Sequence, residues 1–217
     1  TSQYLNAAAS ILTRLMLVVN KYDPSLKLGE KYANILYSLP ALDYLVYPNN
    51  ELIRWGDGKR TGKPPYGSYE DAYLLGKMDG VKEITSEFEP LLSTALSQDK
   101  YKRDGMLALL WYDNAFKSEE SEILLPRTDK VDHAGIFLQR NVSPSRNPDD
   151  GLMAFVGGAH MVHGHAEGMN IELNGKGEVL GVDNGRGRYQ QDIHENYSRI
   201  FAAHNTVIVN GNSRSEG

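Results

Sequence analysis

The spacing of apolar side chains changes between the first and second halves of this 217-residue chain. In the first half, apolar residues recur every three or four positions, which predicts amphipathic helices. No strand-like run separates these segments, so they predict a layer made only of helices. The predicted helices cover about 2–22, 27–39, 69–78, 85–96 and 105–112, and prolines follow the first two.

The second half favours strands, because apolar and polar residues alternate or β-branched residues cluster. The sequence Asn174-Gly175-Lys176-Gly177 between two such runs predicts a tight hairpin turn. We place the change of architecture between Pro126 and Asp132, with a helical part over 1–128 and an antiparallel sheet over 129–217. The predicted strands cover about 135–140, 152–156, 169–173, 178–182 and 206–209.

Five strands are too few to cover both faces of a β-sandwich, because a sandwich needs a second sheet. We therefore expect the chain to be a piece of a longer polypeptide. Its net charge of −5 gives no overall basic surface for nucleic acid, and no apolar run approaches the roughly 20 residues that span a bilayer. Cysteine is absent, which excludes disulfides and thiolate metal sites and fits the periplasmic or secreted bacterial protein that we expect.

Five of the six histidines lie between positions 160 and 204. His163 and His165 share one side of an extended segment, and Asp183 and His204 lie at ends of predicted strands. Such residues can converge on one metal, and imidazole with carboxylate donors suits Zn²⁺, although Mn²⁺ or Ni²⁺ accept the same donors. The alternative is a set of hydrogen-bonded loop histidines. We expect that structural or solvent-exposed character for the others: His133, His160 and His194.

These motifs resemble the heparinase II/III-like polysaccharide lyases. The resemblance begins at about Gly135 and runs through the Gly-Gly-Ala-His sequence that starts at Gly157 and through the His-Gly-His sequence. It continues through 182–186 and Tyr189 to the segment 204–209, which starts with His-Asn-Thr. The tripeptide ending at Asp57 adds a weaker match. The resemblance implies an α+β multidomain architecture: the C-terminal part of an (α/α) toroid followed by the first part of an antiparallel β-sandwich. Glu167 departs from the aspartate that many members carry.

The resemblance also implies cleavage of a uronate polysaccharide by β-elimination. A base removes the proton at C5 and the 4-linked sugar leaves, while the substrate carboxylate must be neutralised. The toroid residue that neutralises it in the family lies outside this chain. Tyr4 and His163 match the catalytic tyrosine and histidine, and Tyr32 or Tyr37 is the next candidate for the tyrosine.

His165, Asp183 and His204 match the family's metal ligands, and we expect a divalent metal, with zinc the first choice. Its expected role is to organise the loop that presents His163, as outer groups orient a functional side chain. A loop rich in glycine and arginine follows Asp183. It either binds sugar carboxylates or sulfates through bidentate arginine contacts or is a solvated turn. The candidate substrate-binding residues are Arg186, Arg188 and Tyr189.

Two other functions remain open at this stage. The chain can be a non-catalytic glycan-binding fragment with a structural metal site. A glycosidase requires two carboxylates across a cleft, and no motif supports the available ones, which are Asp57, Glu70, Asp71 and Glu167. The sequence leaves the polysaccharide, endo or exo action, epimer preference and oligomeric state undetermined.

Overall fold

A computed structural model shows an α+β protein, as the sequence predicts. It describes residues 2–58, 62–103, 105–106, 109, 125–143, 147, 151–157, 165–166, 168–208 and 210–211, with only the backbone described for 2–5 and 133. Two compact units are present. The helical unit comprises Asn6–Tyr44 and Pro64–Leu124, and the β unit comprises Thr1–Leu5, Leu45–Lys63 and Leu125–Gly217. No helix among the described residues has the length and apolar character needed to cross a membrane.

Among its described residues, the helical unit contains three longer helices and three short ones. An aromatic contact between Tyr69 and Phe88, with ring centroids 5.5 Å apart, lies in its core. The last two helices pack closely, because a Cβ on Gly76 would lie 2.8 Å from Cγ2 of Ile84. The helices are α1 (Ser2–Tyr22), α2 (Leu28–Lys31), α3 (Ala33–Leu36), α4 (Ala41–Tyr44), α5 (Tyr66–Asp79) and α6 (Lys82–Ser97).

One predicted helix is divided into two short helices, and another lies largely outside the described residues. The helix predicted over 27–39 is divided at Tyr32, whose φ of −117° departs from helical geometry. Its first turn is instead fixed by Asp79, whose carboxylate accepts the N–H groups of Gly29 at 2.6 Å and Glu30 at 3.2 Å. First-turn amides have no partner inside the helix, so this carboxylate stabilises α2 locally. The helix predicted over 105–112 lies largely outside the described residues.

The β unit contains one five-stranded antiparallel sheet with strand order β1-β2-β3-β4-β5. The predicted hairpin between the last two strands is confirmed: Lys176 and Gly177 both have positive φ, as a tight two-residue turn requires. The first strand begins at Thr128, near the predicted change of architecture. The strands are β1 (Thr128–Val131), β2 (Ile136–Val142), β3 (Gly151–Gly157), β4 (Asn170–Gly175) and β5 (Glu178–Gly181).

The strand predicted over 206–209 is wrong for its described residues 206–208, which belong to no strand. Asn205 provides the reason. Its backbone carbonyl accepts the Ile171 N–H at 3.0 Å, and its side-chain amide donates to the carbonyls of Ile171 and Val182. Thr206 then donates its hydroxyl to the Gly168 carbonyl. Side-chain bonds therefore fix this segment where the sequence pattern suggested a ladder.

One face of the sheet is covered by Leu45–Lys63, the segment between α4 and α5. Its Tyr47, Ile53 and Trp55 form a buried core with residues of β2 and β3. The rings of Trp55 and Phe155 stack with centroids 5.4 Å apart. The prediction had placed this segment within the helical part, but its apolar side chains group it with the strands.

The opposite face of the sheet is apolar and exposed. The alternation of side chains along strands sends one set to the buried core and the other set to this face. Its large apolar residues are between 40% and 67% exposed. They are Phe137, Leu152, Ile171, Leu173 and Leu180.

Candidate metal centre

Three buried imidazoles lie together in the β unit. The ring centroid of His165 is 5.3 Å from that of His204 and 5.8 Å from that of His194. Two buried carboxylates, Asp57 and Asp183, contact these rings. The cluster therefore combines nitrogen and oxygen donors in a site with very little solvent access.

His204 and Asp183 form the tightest pair of the cluster. Nδ1 of His204 lies 2.6 Å from Oδ2 of Asp183, and Nε2 lies 2.9 Å from the carbonyl oxygen of Ser198. A carbonyl oxygen only accepts hydrogen bonds, so Nε2 carries a proton and Nδ1 faces the carboxylate. The second oxygen of Asp183, Oδ1, accepts the Gly185 N–H at 2.6 Å.

His165 is held by Asp57. Nε2 of His165 lies 2.9 Å from Oδ1 of Asp57, and Oδ2 of the same carboxylate accepts the Tyr189 hydroxyl at 2.7 Å. Nδ1 of His165 is buried and has no hydrogen-bond partner among the described residues. Burial lowers the pKa of His165, while the hydrogen bond with Asp57 acts in the opposite direction.

His194 belongs to the same cluster and is buried, so the solvent-exposed alternative for this histidine is wrong, and a structural role stays a prediction. It begins a π-helical turn, His194–Ser198, and its Nε2 lies 3.8 Å from Oδ1 of Asp57. The ring of Tyr189 meets it edge-on with centroids 5.0 Å apart. Its Nδ1 is buried without a hydrogen-bond partner among the described residues.

Glu172 connects the covering segment to Asp183. The alternation of β4 places Glu172 on the buried face. Its Oε1 accepts the Asp183 N–H at 2.8 Å, and its Oε2 accepts the Tyr47 hydroxyl and, at 3.4 Å, the Arg54 N–H. Burial raises the pKa of Glu172, and the hydrogen bond from Tyr47 partly offsets that effect. Burial and the neighbouring Glu172 charge raise the pKa of Tyr47 far above its usual range, so this phenol stays protonated.

A glycine allows the loop after Asp183 to approach the covering segment. Gly185 has φ of +62°, and an added Cβ would lie 2.6 Å from the carbonyl oxygen of Gly58. The same carbonyl accepts the N–H of Arg186 at 3.3 Å. A side chain at this position would therefore separate the loop from the segment that carries Asp57.

The donors of this cluster fit a divalent metal ion such as Zn²⁺. One donor atom from each of Asp57, His165 and His194 lies within 4.8 Å of the others, and the His204–Asp183 pair adds two more donors beside His165. The two buried Nδ1 atoms without partners are groups that a bound cation would satisfy. Imidazole and carboxylate donors also suit Mn²⁺ or Ni²⁺.

Of the three residues predicted as ligands, Asp183 contacts His204, and the ring of His204 lies 5.3 Å from that of His165. The described group whose donor atoms all lie within 4.8 Å is Asp57, His165 and His194, so the role of the three predicted ligands stays a prediction. Neither predicted catalytic side chain can be placed. His163 lies outside the described residues, and Tyr4 is described only by its backbone in α1, within the part of that helix assigned to the β unit.

The three residues predicted to bind substrate lie in the loop after Asp183. The guanidinium carbon of Arg186 lies 4.6 Å from the ring centroid of Tyr189, and Arg188 is exposed. Tyr189 is 43% exposed, although its hydroxyl is bonded to Asp57. The ring therefore connects the buried cluster with the surface of the loop.

The carboxylates considered for a hydrolase have other partners in the structure. Glu70 accepts the Tyr101 hydroxyl at 2.5 Å and lies 2.8 Å from Nε of Arg103. Asp71 lies 2.7 Å from Nε of Arg14. Asp57 belongs to the histidine cluster, and Glu167 lies outside the described residues.

Comparisons with known proteins agree with this architecture. The family described as "Endo-acting ulvan lyase 2nd domain" matches residues 1–126, and the family described as "Heparinase II/III-like, C-terminal" matches residues 126–216. An endo-acting ulvan lyase from Formosa agariphila is 31% identical over an alignment that covers 93% of this chain and 27% of that relative. The chain thus spans about a quarter of the relative's length.

Proposed function

Because the chain belongs to the ulvan-lyase family of heparinase II/III-like polysaccharide lyases, we propose that it forms part of an enzyme that cleaves ulvan or a related uronate polysaccharide. The buried cluster around His165 is the observation that supports this proposal most directly. Its imidazoles and carboxylates lie within the segment that matches the heparinase II/III-like family, except for Asp57.

The proposed reaction is a β-elimination at a uronate residue. A base removes the C5 proton, the C5–H electrons form the C4=C5 double bond, and the C4–O bond breaks. The departing oxygen then takes a proton from a general acid. The C5 proton is weakly acidic because it lies beside a carboxylate, so positive charge or hydrogen-bond donors must stabilise the charge that develops there.

Within this chain we assign the proton transfers to Tyr4 and His163. His163 precedes the candidate ligand His165 by two positions, so anchoring His165 also restricts the position of His163. An imidazole with a pKa near ~6.5 exchanges protons at neutral pH, which suits either transfer. Arg186 and Arg188 are proposed to bind carboxylate or sulfate groups of the glycan.

The metal ligands in this proposal are His165, Asp183 and His204. A bound divalent cation would supply positive charge to the site and lock the loop that carries His163. The residues that surround the cluster already restrict its geometry, since Glu172 and Gly185 hold Asp183 from both sides.

We further propose that the helical unit is part of an (α/α) toroid and that the sheet is half of a β-sandwich. The exposed apolar face that includes Leu152 and Leu180 supports the second assignment, because a sandwich buries such a face against another sheet. The remainder of the same polypeptide would supply that sheet. A polymeric glycan is met outside the cytoplasm, so we place the enzyme in the periplasm or outside the cell.

Incubation of the full-length protein with a panel of polysaccharides tests the proposed function. Ulvan, alginate, heparan sulfate, chondroitin and hyaluronan are compared by the ultraviolet absorbance of unsaturated uronate and by mass spectrometry of the products. We expect unsaturated oligosaccharides from ulvan. Saturated products would show hydrolysis instead, and binding of ulvan without cleavage would favour a glycan-binding protein whose metal site is structural.

A further inference from the structure

We propose that Asp57 is a positioning residue of the metal centre. Its carboxylate accepts the Nε2–H of His165 and thereby leaves Nδ1 of that imidazole as the metal-binding atom. This inference rests on the metal binding included in the proposed function. Asp57 lies in the segment between α4 and α5, 108 positions before His165, and the motif that predicted the ligands does not include it.

The hydrogen-bonding capacity of His165 supports this assignment. A neutral imidazole has one N–H donor and one nitrogen acceptor, whereas an ionised carboxylate only accepts. Oδ1 of Asp57 lies 2.9 Å from Nε2, so the proton is on Nε2 and the lone pair is on Nδ1. Nδ1 is buried without a partner among the described residues, and an unsatisfied buried acceptor of this kind is destabilising. A cation at Nδ1 would remove that destabilisation.

His204 also directs its Nε2 to a protein acceptor. Its Nε2 lies 2.9 Å from the Ser198 carbonyl, and its Nδ1 lies 2.6 Å from Oδ2 of Asp183. The Nδ1 atom of His204 thus already contacts a carboxylate, whereas Nδ1 of His165 has no partner among the described residues. Histidines that bind metals generally donate their second ring N–H to a carboxylate or a carbonyl, and Asp57 and Ser198 supply one of each.

Asp57 also connects the metal centre with the loop expected to bind substrate. Its Oδ2 accepts the hydroxyl of Tyr189, and Arg186 lies over the ring of that tyrosine. The carboxylate is thus fixed by one contact to a ligand and one contact to the loop. Substitution of Asp57 should disturb both the ligand and the position of Tyr189.

A rival arrangement makes Asp57 a ligand itself, together with His165 and His194. Their donor atoms are close enough for this, within 4.8 Å of one another. The two arrangements differ in the histidine that they require. If Asp57 positions His165, the metal depends on His204 more than on His194. If Asp57 is a ligand, the dependence is reversed.

The test uses the full-length protein and the variants Asp57→Asn, Asp57→Ala, His194→Gln and His204→Ala. Zn²⁺ affinity is measured by competition with a chromogenic chelator, and the Co²⁺-substituted proteins are compared by visible absorption. Circular dichroism of the metal-free variants verifies folding.

We expect Asp57→Ala to weaken Zn²⁺ binding by about 10- to 100-fold, the usual effect of losing an outer partner. Asp57→Asn keeps an acceptor, so its affinity should lie between that of Asp57→Ala and wild type. His204→Ala should weaken Zn²⁺ binding more than His194→Gln does and should change the Co²⁺ spectrum more.

The inference is overturned if Asp57→Ala binds Zn²⁺ as tightly as wild type. It is also overturned if His194→Gln loses the metal while His204→Ala retains it, because Asp57 is then a ligand. Should Asp57→Ala fail to fold, the comparison of His204→Ala with His194→Gln still decides between the two arrangements. Failure of the proposed function looks different: the wild-type protein would then produce no unsaturated uronate, whatever the order of metal affinities among the variants.

Discussion

Individual residues in the cluster are held in place by several hydrogen bonds to defined partners. Asp183 shows this most fully, because its N–H, Oδ1 and Oδ2 contact Glu172, Gly185 and His204 respectively. A residue fixed at three points loses little further freedom when it binds a ligand. The proposed metal would therefore meet a carboxylate that is already positioned, which favours tight and selective binding.

The residue with the clearest catalytic expectation is His163. We expect His163→Ala in the full-length protein to lower the rate of unsaturated uronate formation by about 10²–10⁴-fold, the typical loss of a general acid or base. Metal analysis of the same variant should show unchanged metal content, because His165 remains in place. Near-wild-type turnover would limit His163 to a scaffold role, and loss of the metal would make it a ligand.

The buried His165 predicts a pH dependence of the metal-free protein. Burial lowers its folded pKa below the unfolded value of 6.5, so protons bind the unfolded state preferentially. Neutral His165 therefore makes its full contribution to the free energy of unfolding above about pH 6.5. This contribution is lost as the pH falls below that value.

Chemical denaturation of the metal-free protein at several pH values measures this effect. We expect the free energy of unfolding to fall as the pH decreases below about 6.5, and His165→Gln to show a shallower decline. Glu172 and the other buried groups titrate in both proteins, so their contribution cancels in the difference. Equal pH profiles for the two proteins would contradict the expectation.

Among the structural elements, the segment Leu45–Lys63 has the greatest influence on the site. It has no helix or long strand of its own, yet it supplies Tyr47 to Glu172, Asp57 to His165 and an aromatic core residue to β3. An irregular segment of this kind is stabilised mainly by contacts with its surroundings. Its position therefore depends on the close approach of the Gly185 loop.

Substitution of Gly185 tests that close approach. Gly185→Ala combines a positive φ with a Cβ placed 2.6 Å from the Gly58 carbonyl oxygen. The left-handed conformation alone costs about 1–2 kcal/mol, so we expect the free energy of unfolding to fall by more than that. Metal affinity should fall as well, because the Gly185 N–H holds Asp183. Gly80→Ala is the matched control, with φ of +72° and open space around its Cβ.

The control should lose stability and keep its metal affinity. Denaturation and chelator competition on both variants separate the two effects. Equal behaviour of the two variants would show that the loop adjusts to the added carbon and that the contact with Gly58 is not required.

Elements with a strong local pattern could be predicted from the sequence. The long helices α1, α5 and α6 and the hairpin at Lys176 and Gly177 follow from periodicity and turn chemistry, which act over a few neighbouring residues. The 27–39 segment departs from its pattern at Tyr32, whose φ of −117° interrupts the helix. Residues 206–208 depart because Asn205 replaces a ladder with side-chain bonds.

The site was predictable only where its residues share a motif. His165, Asp183 and His204 follow one another within 40 positions and could be grouped by spacing. Asp57 and His194 could not. Asp57 reaches the cluster because a core of aromatic side chains places its segment on the sheet, and a contact across 108 positions leaves no periodic signal. His194 is brought inward by an irregular π-helical turn, which has no simple sequence pattern.

At the scale of the whole molecule, the exposed face of the sheet is the main unsatisfied feature among the described residues. Contiguous exposed apolar surface usually marks a site of contact. The helical and strand units each have a buried core, so neither needs this face for its own interior. The face is therefore available to another part of the polypeptide, as proposed above.

Comparison of the 217-residue chain with the full-length protein tests this view. We expect the chain alone to bind an environment-sensitive apolar dye and to self-associate, because the face is uncovered. The double variant Leu152→Thr and Leu180→Thr should reduce both effects in the isolated chain. The same double variant should destabilise the full-length protein. Equal dye binding by the isolated chain and the full-length protein would contradict the proposed covering sheet.

The contact of Leu45–Lys63 with the sheet has a consequence for the order of events during translation. Tyr47 must wait for Glu172, 125 positions later, and Asp57 must wait for Tyr189, 132 positions later. At about 5–20 residues per second, the ribosome needs roughly 6–26 seconds to supply those partners. During that interval the aromatic side chains of the segment have no sheet to cover, and they are exposed to chaperones and proteases. Slow elongation after α4 would therefore reduce the yield of native protein, even though the finished site would be unchanged.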